Sequence, residues 1–178
     1  MLASTWQGLF IKGAAIMASN QYYFLDRWLI PHPIEQVWPH ILHAQHYPVW
    51  WGEVYDEVKP LNDLGPGQIG ARAAVVAHGR LPYRIRFVSE ITRVEPPYKL
   101  GLSAKGDLTG TGLWTLEAHT DGTAITFEWI VAADKPIIRL FSPLIKPIFE
   151  WNHRWTMQKG EAALKRLMAS AAQRKEPA

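Results

Sequence analysis

Residues 149–164 read FEWNHRWTMQKGEAAL, and the spacing of the large apolar side chains in this stretch decides the fold. At ~3.6 residues per turn, Phe149, Met157, Gly160 and Leu164, continued by Leu167 and Ala171, fall within about 40 degrees either side of His153. This is one face of an amphipathic helix. The segment that holds it, Pro136 to Gln173, is much longer than any other helical candidate in the chain. Pro143 and Pro147 are expected to interrupt it early, because proline removes a hydrogen bond from a helix interior. A second stripe of Leu140, Leu144, Ile148, Trp151, Trp155 and Ala162 lies roughly 180 degrees away, which one covering layer cannot bury as well. Gly160 on the His153 stripe costs helix propensity, up to ~1 kcal/mol. It fits either a close approach to the facing layer or a space left there.

The facing layer is a sheet. From Glu53 to Asp134 the pattern is β throughout, divided by turn chemistry at Asn62 to Gly67, His78 to Pro82, Glu95 to Pro97, Lys105 to Asp107 and Asp121-Gly122. Tyr83, Ile85 and Phe87 alternate with Arg84, Arg86 and Val88, and Ile125, Phe127, Trp129 and Val131 alternate with Thr126, Glu128 and Ile130. Such half-apolar strands suit an antiparallel sheet covered on one side.

Ahead of these strands, Tyr22 to Pro31 reads as another. Tyr22, Phe24, Trp28 and Ile30 share one face, and Tyr23, Leu25, Arg27 and Leu29 the other. A helix follows with Pro33 at its first position, Ile34, Val37, Trp38 and Ile41 as its stripe, and Pro39 to kink or shorten it. A second short helix, Ala44 to Trp51, gathers Tyr47, Trp50 and Trp51. The order is strand, two short helices, six antiparallel strands and one long helix. That predicts a single α+β domain over residues 21–172, with about seven strands in all and a tail at 173–178. In residues 1–20, Leu2, Trp6, Leu9, Phe10, Gly13 and Met17 recur at helical spacing, so the segment is either an amphipathic helix or the contribution of an upstream start codon ahead of Met17.

Composition narrows the function classes. Of 178 residues, 48% are hydrophobic and 20% charged, which excludes a disordered chain. The net charge of +3 comes without a basic stripe, so no nucleic-acid partner is expected. There is no cysteine and no Asn-x-Ser/Thr acceptor, and Lys12 sits where a leader would be apolar. These point to a reducing cytoplasm. Nine Trp in one domain is the oddity, and it calls for large flat surfaces.

Several motifs lose their usual meaning in context. Gly65-Pro66-Gly67-Gln68-Ile69-Gly70 matches a dinucleotide fingerprint, but it opens a strand rather than a helix and reads as a turn. No cofactor is expected. His40, His43 and His46 tempt a metal reading, but Pro39 and Pro48 break the helix that would align them and no carboxylate lies among them, so no metal is expected. No nucleophile elbow is present.

Pro33 to Trp38, Tyr47-Pro48-Val49-Trp50-Trp51, Gly110-Thr111-Gly112-Leu113-Trp114 and Trp151-Asn152-His153 with Met157, Gly160-Glu161 and Leu164 together resemble the polyketide cyclase/dehydrase branch of the START-like (SRPBCC) superfamily. The resemblance covers roughly residues 20 to 170. It implies a helix-grip fold, in which a curved antiparallel sheet wraps a long C-terminal helix around a deep apolar cavity. It implies no catalytic set, since the superfamily spans aromatase/cyclases, lipid and hormone carriers and co-chaperones without a shared triad. The segment before Gln21 departs from the family pattern.

Two functions follow as expectations. The first is binding or transport of a hydrophobic small molecule, with Trp51, Tyr83, Phe87, Trp114, Phe127, Trp129 and Phe149 as walls and Arg86, Asn152 or His153 as polar anchors. The second is a cyclase/dehydratase acting on an aromatic or polyketide-like substrate, with His153 as general acid or base. Asp26, on the Phe24 and Trp28 face, would be its carboxylate, with pairing to an arginine as the structural alternative. A protein-interaction or co-chaperone-like role is the third class. Trp6 and Phe10 with Trp151 and Trp155 form apolar surfaces that could meet within one chain, across a homodimer or at a membrane surface.

Overall fold

β1 (Gln21–Ile30) and β7 (Gly122–Ala133) run antiparallel with Tyr22 opposite Val131, Asp26 opposite Phe127 and Ile30 opposite Thr123. The computed structural model describes residues 21–133 and 136–173 of the chain. Between these two strands in sequence come β2 (Tyr55–Pro60), β3 (Arg72–His78), β4 (Arg84–Glu95), β5 (Lys99–Gly106) and β6 (Leu108–His119). The seven strands form one antiparallel sheet in the order β1-β7-β6-β5-β4-β3-β2. β2 to β7 is therefore a simple meander, and β1 and β2, neighbours in sequence, stand at opposite edges. The turns expected at His78 to Pro82, Lys105 to Asp107 and Asp121-Gly122 join strands as read, with Gly122 at φ 131, where a side chain is disfavoured. The glycine-rich run at residues 65–70 lies in the β2–β3 connection, where the backbone N–H of Gly65 donates to Gln68 Oε1 at 2.8 Å.

The chain crosses from one edge of the sheet to the other through α1 (Ile34–Leu42), a single 3-10 turn at residues 44–46, and α2 (Tyr47–Trp50). Pro33 sits one position earlier than expected, as the N-cap, and its carbonyl accepts the N–H groups of Gln36 and Val37. Pro39 is accommodated inside α1, which ends three residues later with the His43 N–H on the Pro39 carbonyl at 3.1 Å. Ile34, Val37, Trp38 and Ile41 are buried, as their spacing requires.

α3 (Pro136–Gln173) runs through Pro143 and Pro147 without a break, which corrects the expected early interruption. Each proline removes one interior hydrogen bond and bends a helix, but two such losses leave the rest of a 38-residue ladder intact. The His153 stripe faces the sheet, with Met157, Gly160 and Leu164 buried and Phe149 and Leu167 partly so. Of the second stripe, Ile148 and Trp151 are exposed, while Trp155 is half-buried and packs against the main core. The arrangement is the helix-grip fold: a curved sheet holding one long helix, with the main core formed between them by Trp28, Ile30, Trp114, Leu116, Ile125 and Leu164 among others. The expected N-terminal helix, with Trp6 and Phe10, lies outside the described residues. Among the described residues no helix is long and apolar enough to cross a membrane.

Candidate functional site

Sheet and helix do not meet along their whole length. Between them lies a cavity of about 430 Å3, bounded by β1 to β7, α1, α2 and the middle of α3. Its far wall is aromatic by construction. On β6 and β7, Trp114 stacks on Phe127 with ring centroids 4.1 Å apart, and Phe127 on Trp129 at 5.7 Å. These rings can lie flat because Gly112 is opposite Trp129 in register, and a Cβ there would press into the indole. The Gly-x-Gly of this strand is thus a space requirement of the wall.

The most buried end is closed by α2 and the start of β2. Tyr47, Trp50, Trp51 and Tyr55 pack with centroids 5.1 to 5.6 Å apart, several of them edge to face. Trp51 is held from three sides. Trp28 meets it edge-on at 5.5 Å, its Nε1–H donates to the Thr156 carbonyl at 3.2 Å, and Gly160 lies beneath it with no room for a Cβ. Of the two readings open for Gly160, close approach is the one realised. Tyr47 donates its hydroxyl to the Ile41 carbonyl at 2.7 Å, and burial pushes its ionisation well above the ordinary range. Burial raises Tyr55 in the same way, and its hydroxyl makes no hydrogen bond among the described residues. Trp50 Nε1 is buried without a partner among the described residues.

At the outer end, Tyr83 and Phe149 meet at 6.5 Å and Tyr83 is 39% exposed. Burial, followed by the neighbouring Tyr22, still pushes the Tyr83 phenol up to about 12. Asn152 holds the β3–β4 loop to the helix, since its Oδ1 accepts the backbone N–H groups of Arg80 at 2.8 Å and Leu81 at 3.2 Å. Gly79 must be glycine for that contact, because a Cβ there would collide with the Asn152 amide. Asn152 therefore borders the cavity but has spent its acceptor on the loop.

His153 differs. Its Nε2 is 2.7 Å from Asp26 Oδ2, and Phe24 stacks on the ring with centroids 3.9 Å apart. The side chains of the pair are only 16% and 18% exposed. Asp26 thus takes the histidine of α3, in place of the arginine considered from sequence, because β1 presents Phe24, Asp26 and Trp28 on the face that α3 covers. On the other wall His78 Nδ1 lies 3.4 Å from Asp56 Oδ2, close enough for an ion pair but without hydrogen-bond alignment.

Every wall residue named from sequence lines this cavity: Trp51, Tyr83, Phe87, Trp114, Phe127, Trp129 and Phe149, with Asn152 and His153. Arg86 does not. It is exposed on the outer face of β4, out of phase with Ile85 and Phe87, and two-residue alternation carries its charge away from the cavity. Tyr47, Tyr55 and Phe24 also line the cavity and were not chosen from sequence as site residues. Phe24 shared a face with Asp26 and was in that sense readable. Tyr55 was not, because the register shifts between Tyr55 and Glu57 and disrupts the alternation of β2. His40, His43 and His46 lie at the end of α1 and beyond, with His43 Nδ1 on the Pro39 carbonyl at 2.7 Å and the His43 and His46 rings stacked.

Residues 27–169 match the family described as polyketide cyclase/dehydrase and lipid transport. No match is found among the curated proteins. Among solved structures, the chain is similar to TTHA0849 from Thermus thermophilus, with a TM-score of 0.63 and 19% identity over 84% of this chain and 99% of that one. It is also similar to the di-domain ARO/CYC StfQ from the steffimycin biosynthetic pathway, with a TM-score of 0.62 and 12% identity over 85% of this chain and 53% of that one. For the di-domain ARO/CYC BexL from the BE-7585A biosynthetic pathway the TM-score is 0.61 and the identity 15%, over 83% of this chain and 51% of that one. The chain spans about half of each di-domain protein, and at these identities the likeness is one of fold.

Proposed function

Since the chain belongs to the polyketide cyclase/dehydrase and lipid transport family, we propose that it binds and carries a hydrophobic small molecule in the cavity between the sheet and α3. One observation carries the reading: an interior space of about 430 Å3 walled by stacked aromatic rings, with few polar groups, where a helix and sheet of this size would otherwise pack shut. Ligand pockets are typically ~300–1,000 Å3 and mostly apolar. An apolar fluorophore titrated into the protein is expected to bind at micromolar concentration and to quench Trp emission, because Trp51, Trp114 and Trp129 line the space. Phe87→Arg, which sets a charge on the inner face of β4, is expected to abolish that binding while the chain stays folded. Unchanged emission across a panel of aromatic and fatty ligands would sink the proposal. Native mass spectrometry of protein from its own host would identify a retained ligand.

The Asp26–His153 contact favours a second reading, a cyclase/dehydratase acting on an aromatic or polyketide-like substrate with His153 as general acid or base. We place the protein in the cytoplasm, on the ground that it has no cysteine to oxidise. Trp151, 45% exposed with Arg80 over its ring, and the partly buried Trp155 are where a second copy or a membrane surface would make contact.

A further inference from the structure

With the carboxylate ionised and the imidazole neutral, the Asp26–His153 pair has a polarity set by which ring nitrogen meets Asp26. An ionised carboxylate can only accept hydrogen bonds, so the imidazole nitrogen that touches it carries the proton. That nitrogen is Nε2, 2.7 Å from Asp26 Oδ2. A neutral imidazole has one N–H, which leaves Nδ1 as a bare lone pair. Nδ1 makes no hydrogen bond among the described residues and is not sealed by packing. The ring cannot readily turn to hide it, because Phe24 stacks on its face at 3.9 Å while Asp26 holds its far edge.

Of the other polar groups on the wall, His78 meets Asp56 Oδ2 at 3.4 Å through Nδ1 without hydrogen-bond alignment, so its tautomer is not fixed, and Asp107 Oδ2 accepts the Arg86 N–H at 3.0 Å. The Tyr47 hydroxyl is committed to the Ile41 carbonyl at 2.7 Å, the Ser89 hydroxyl faces the Ala73 carbonyl at 3.5 Å, and Asn152 is committed to the β3–β4 loop. The Tyr55 hydroxyl has no protein partner among the described residues, but a hydroxyl both donates and accepts and so does not discriminate. His153 lines the apolar cavity, and its unused Nδ1 acceptor penalises an occupant that meets it and offers it nothing.

We propose that Asp26 and His153 form a hydrogen-bond-accepting anchor that selects, among apolar molecules, those that carry a hydroxyl. The proposal rests on the ligand-binding reading above and adds a preference for a donor over an acceptor at one place on the ligand. In this arrangement Asp26 is a positioning residue, since it acts through the histidine, and the ligand touches only His153.

The test compares naphthalene, 2-naphthol, 2-methoxynaphthalene and 2-acetonaphthone by calorimetry on the full chain. The wild type is expected to bind 2-naphthol about tenfold more tightly than the methyl ether, the factor that one net hydrogen bond supplies. His153→Gln is expected to remove the preference while naphthalene still binds. Asp26→Asn is the sharper variant, because its amide N–H can donate to Nε2 and move the imidazole proton to Nδ1. The preference should then invert, with 2-acetonaphthone bound more tightly than 2-naphthol. Nitrogen-15 chemical shifts of His153 give a readout without ligand: Nε2 protonated in the wild type and Nδ1 protonated in Asp26→Asn. If naphthalene binds but naphthol and its ether bind equally, the anchor is overturned and the cavity reading stands. If the naphthol preference survives both substitutions, the donor is met elsewhere, at Tyr55 for example, and the proposal is wrong. If naphthalene itself does not bind, the cavity reading falls and the anchor falls with it.

Discussion

The two ends of the cavity draw on one helix and on similar aromatic side chains, but they leave those side chains in different states. At the buried end Trp51 is 2% exposed, fixed by Trp28, Thr156 and Gly160, and Tyr47 is committed to a carbonyl. At the outer end Tyr83 is 39% exposed and 6.5 Å from Phe149, and the Asp26–His153 pair keeps one ring nitrogen unused. The contrast follows from how closely α3 approaches its partners. Where a glycine admits an indole against the helix, the elements lock. Roughly two to three turns earlier, where the helix carries His153 and Phe149, the same face borders open space. Stability and binding should therefore separate along α3, and substitutions at the two ends should give different phenotypes.

The largest effect is expected at Gly160. In an exposed helix interior Gly→Ala stabilises by up to ~1 kcal/mol. Here a Cβ would meet the Trp51 ring, which is pinned by a hydrogen bond and by aromatic neighbours, so overpacking should win and Gly160→Ala should destabilise by about 1–3 kcal/mol in urea titrations. Any surviving folded protein should retain the donor preference at His153. A stabilised variant would show that Trp51 yields freely and that the buried end is no more rigid than the outer one.

A smaller effect is expected at Asn152, which belongs to the outer end but acts on structure. Asn152→Ala leaves the N–H groups of Arg80 and Leu81 to water or to nothing, so a loss of about 1 kcal/mol is expected, with faster amide exchange in residues 79–82 and little change in β6 and β7. Uniformly accelerated exchange would mean that the loop attachment does not act locally.

That Asn152 serves a loop also shows where reading the sequence stops. The strands, their turns and the buried face of α3 were legible because periodicity records burial: Phe127, Trp129 and Val131 could face only one way once Thr126 and Glu128 were polar. The cavity walls followed for the same reason. Arg86 was misplaced although its phase was visible, since adjacency to Phe87 in sequence puts it on the opposite face of the strand. The prolines of α3 misled because a local propensity cannot weigh the stability of a 38-residue helix packed on a sheet. The pairing of Asp26 with His153 was beyond sequence: the two are 127 residues apart, and only the crossing of α3 over β1 brings them together. Asn152 and Asp26 were both polar residues near the right place. Only the folded chain shows that one is committed to backbone and the other to a side chain that lines the cavity.

The smallest predicted effect lies behind the buried end, at the close of α1. Burial lowers His40 from its ordinary value of 6.5, and the nearby His43 and His46 lower it further. The native state therefore binds a proton there less readily than the unfolded chain does. Stability rises with pH wherever the unfolded state holds more protons, so this contribution is present above the ordinary value and is lost as the pH falls below it, levelling once the native His40 also protonates. His40 is partly exposed and solvent screens it, so the expected change is a fall in Tm of no more than about 2 °C between pH 7.5 and 5.5. His40→Gln removes the titrating group and should flatten that limb of the Tm profile. His153→Gln should leave the His40 part of it in place, because the two residues lie on different elements. If His40→Gln keeps the full acid slope, the loss belongs to other groups and His40 does not set this limb.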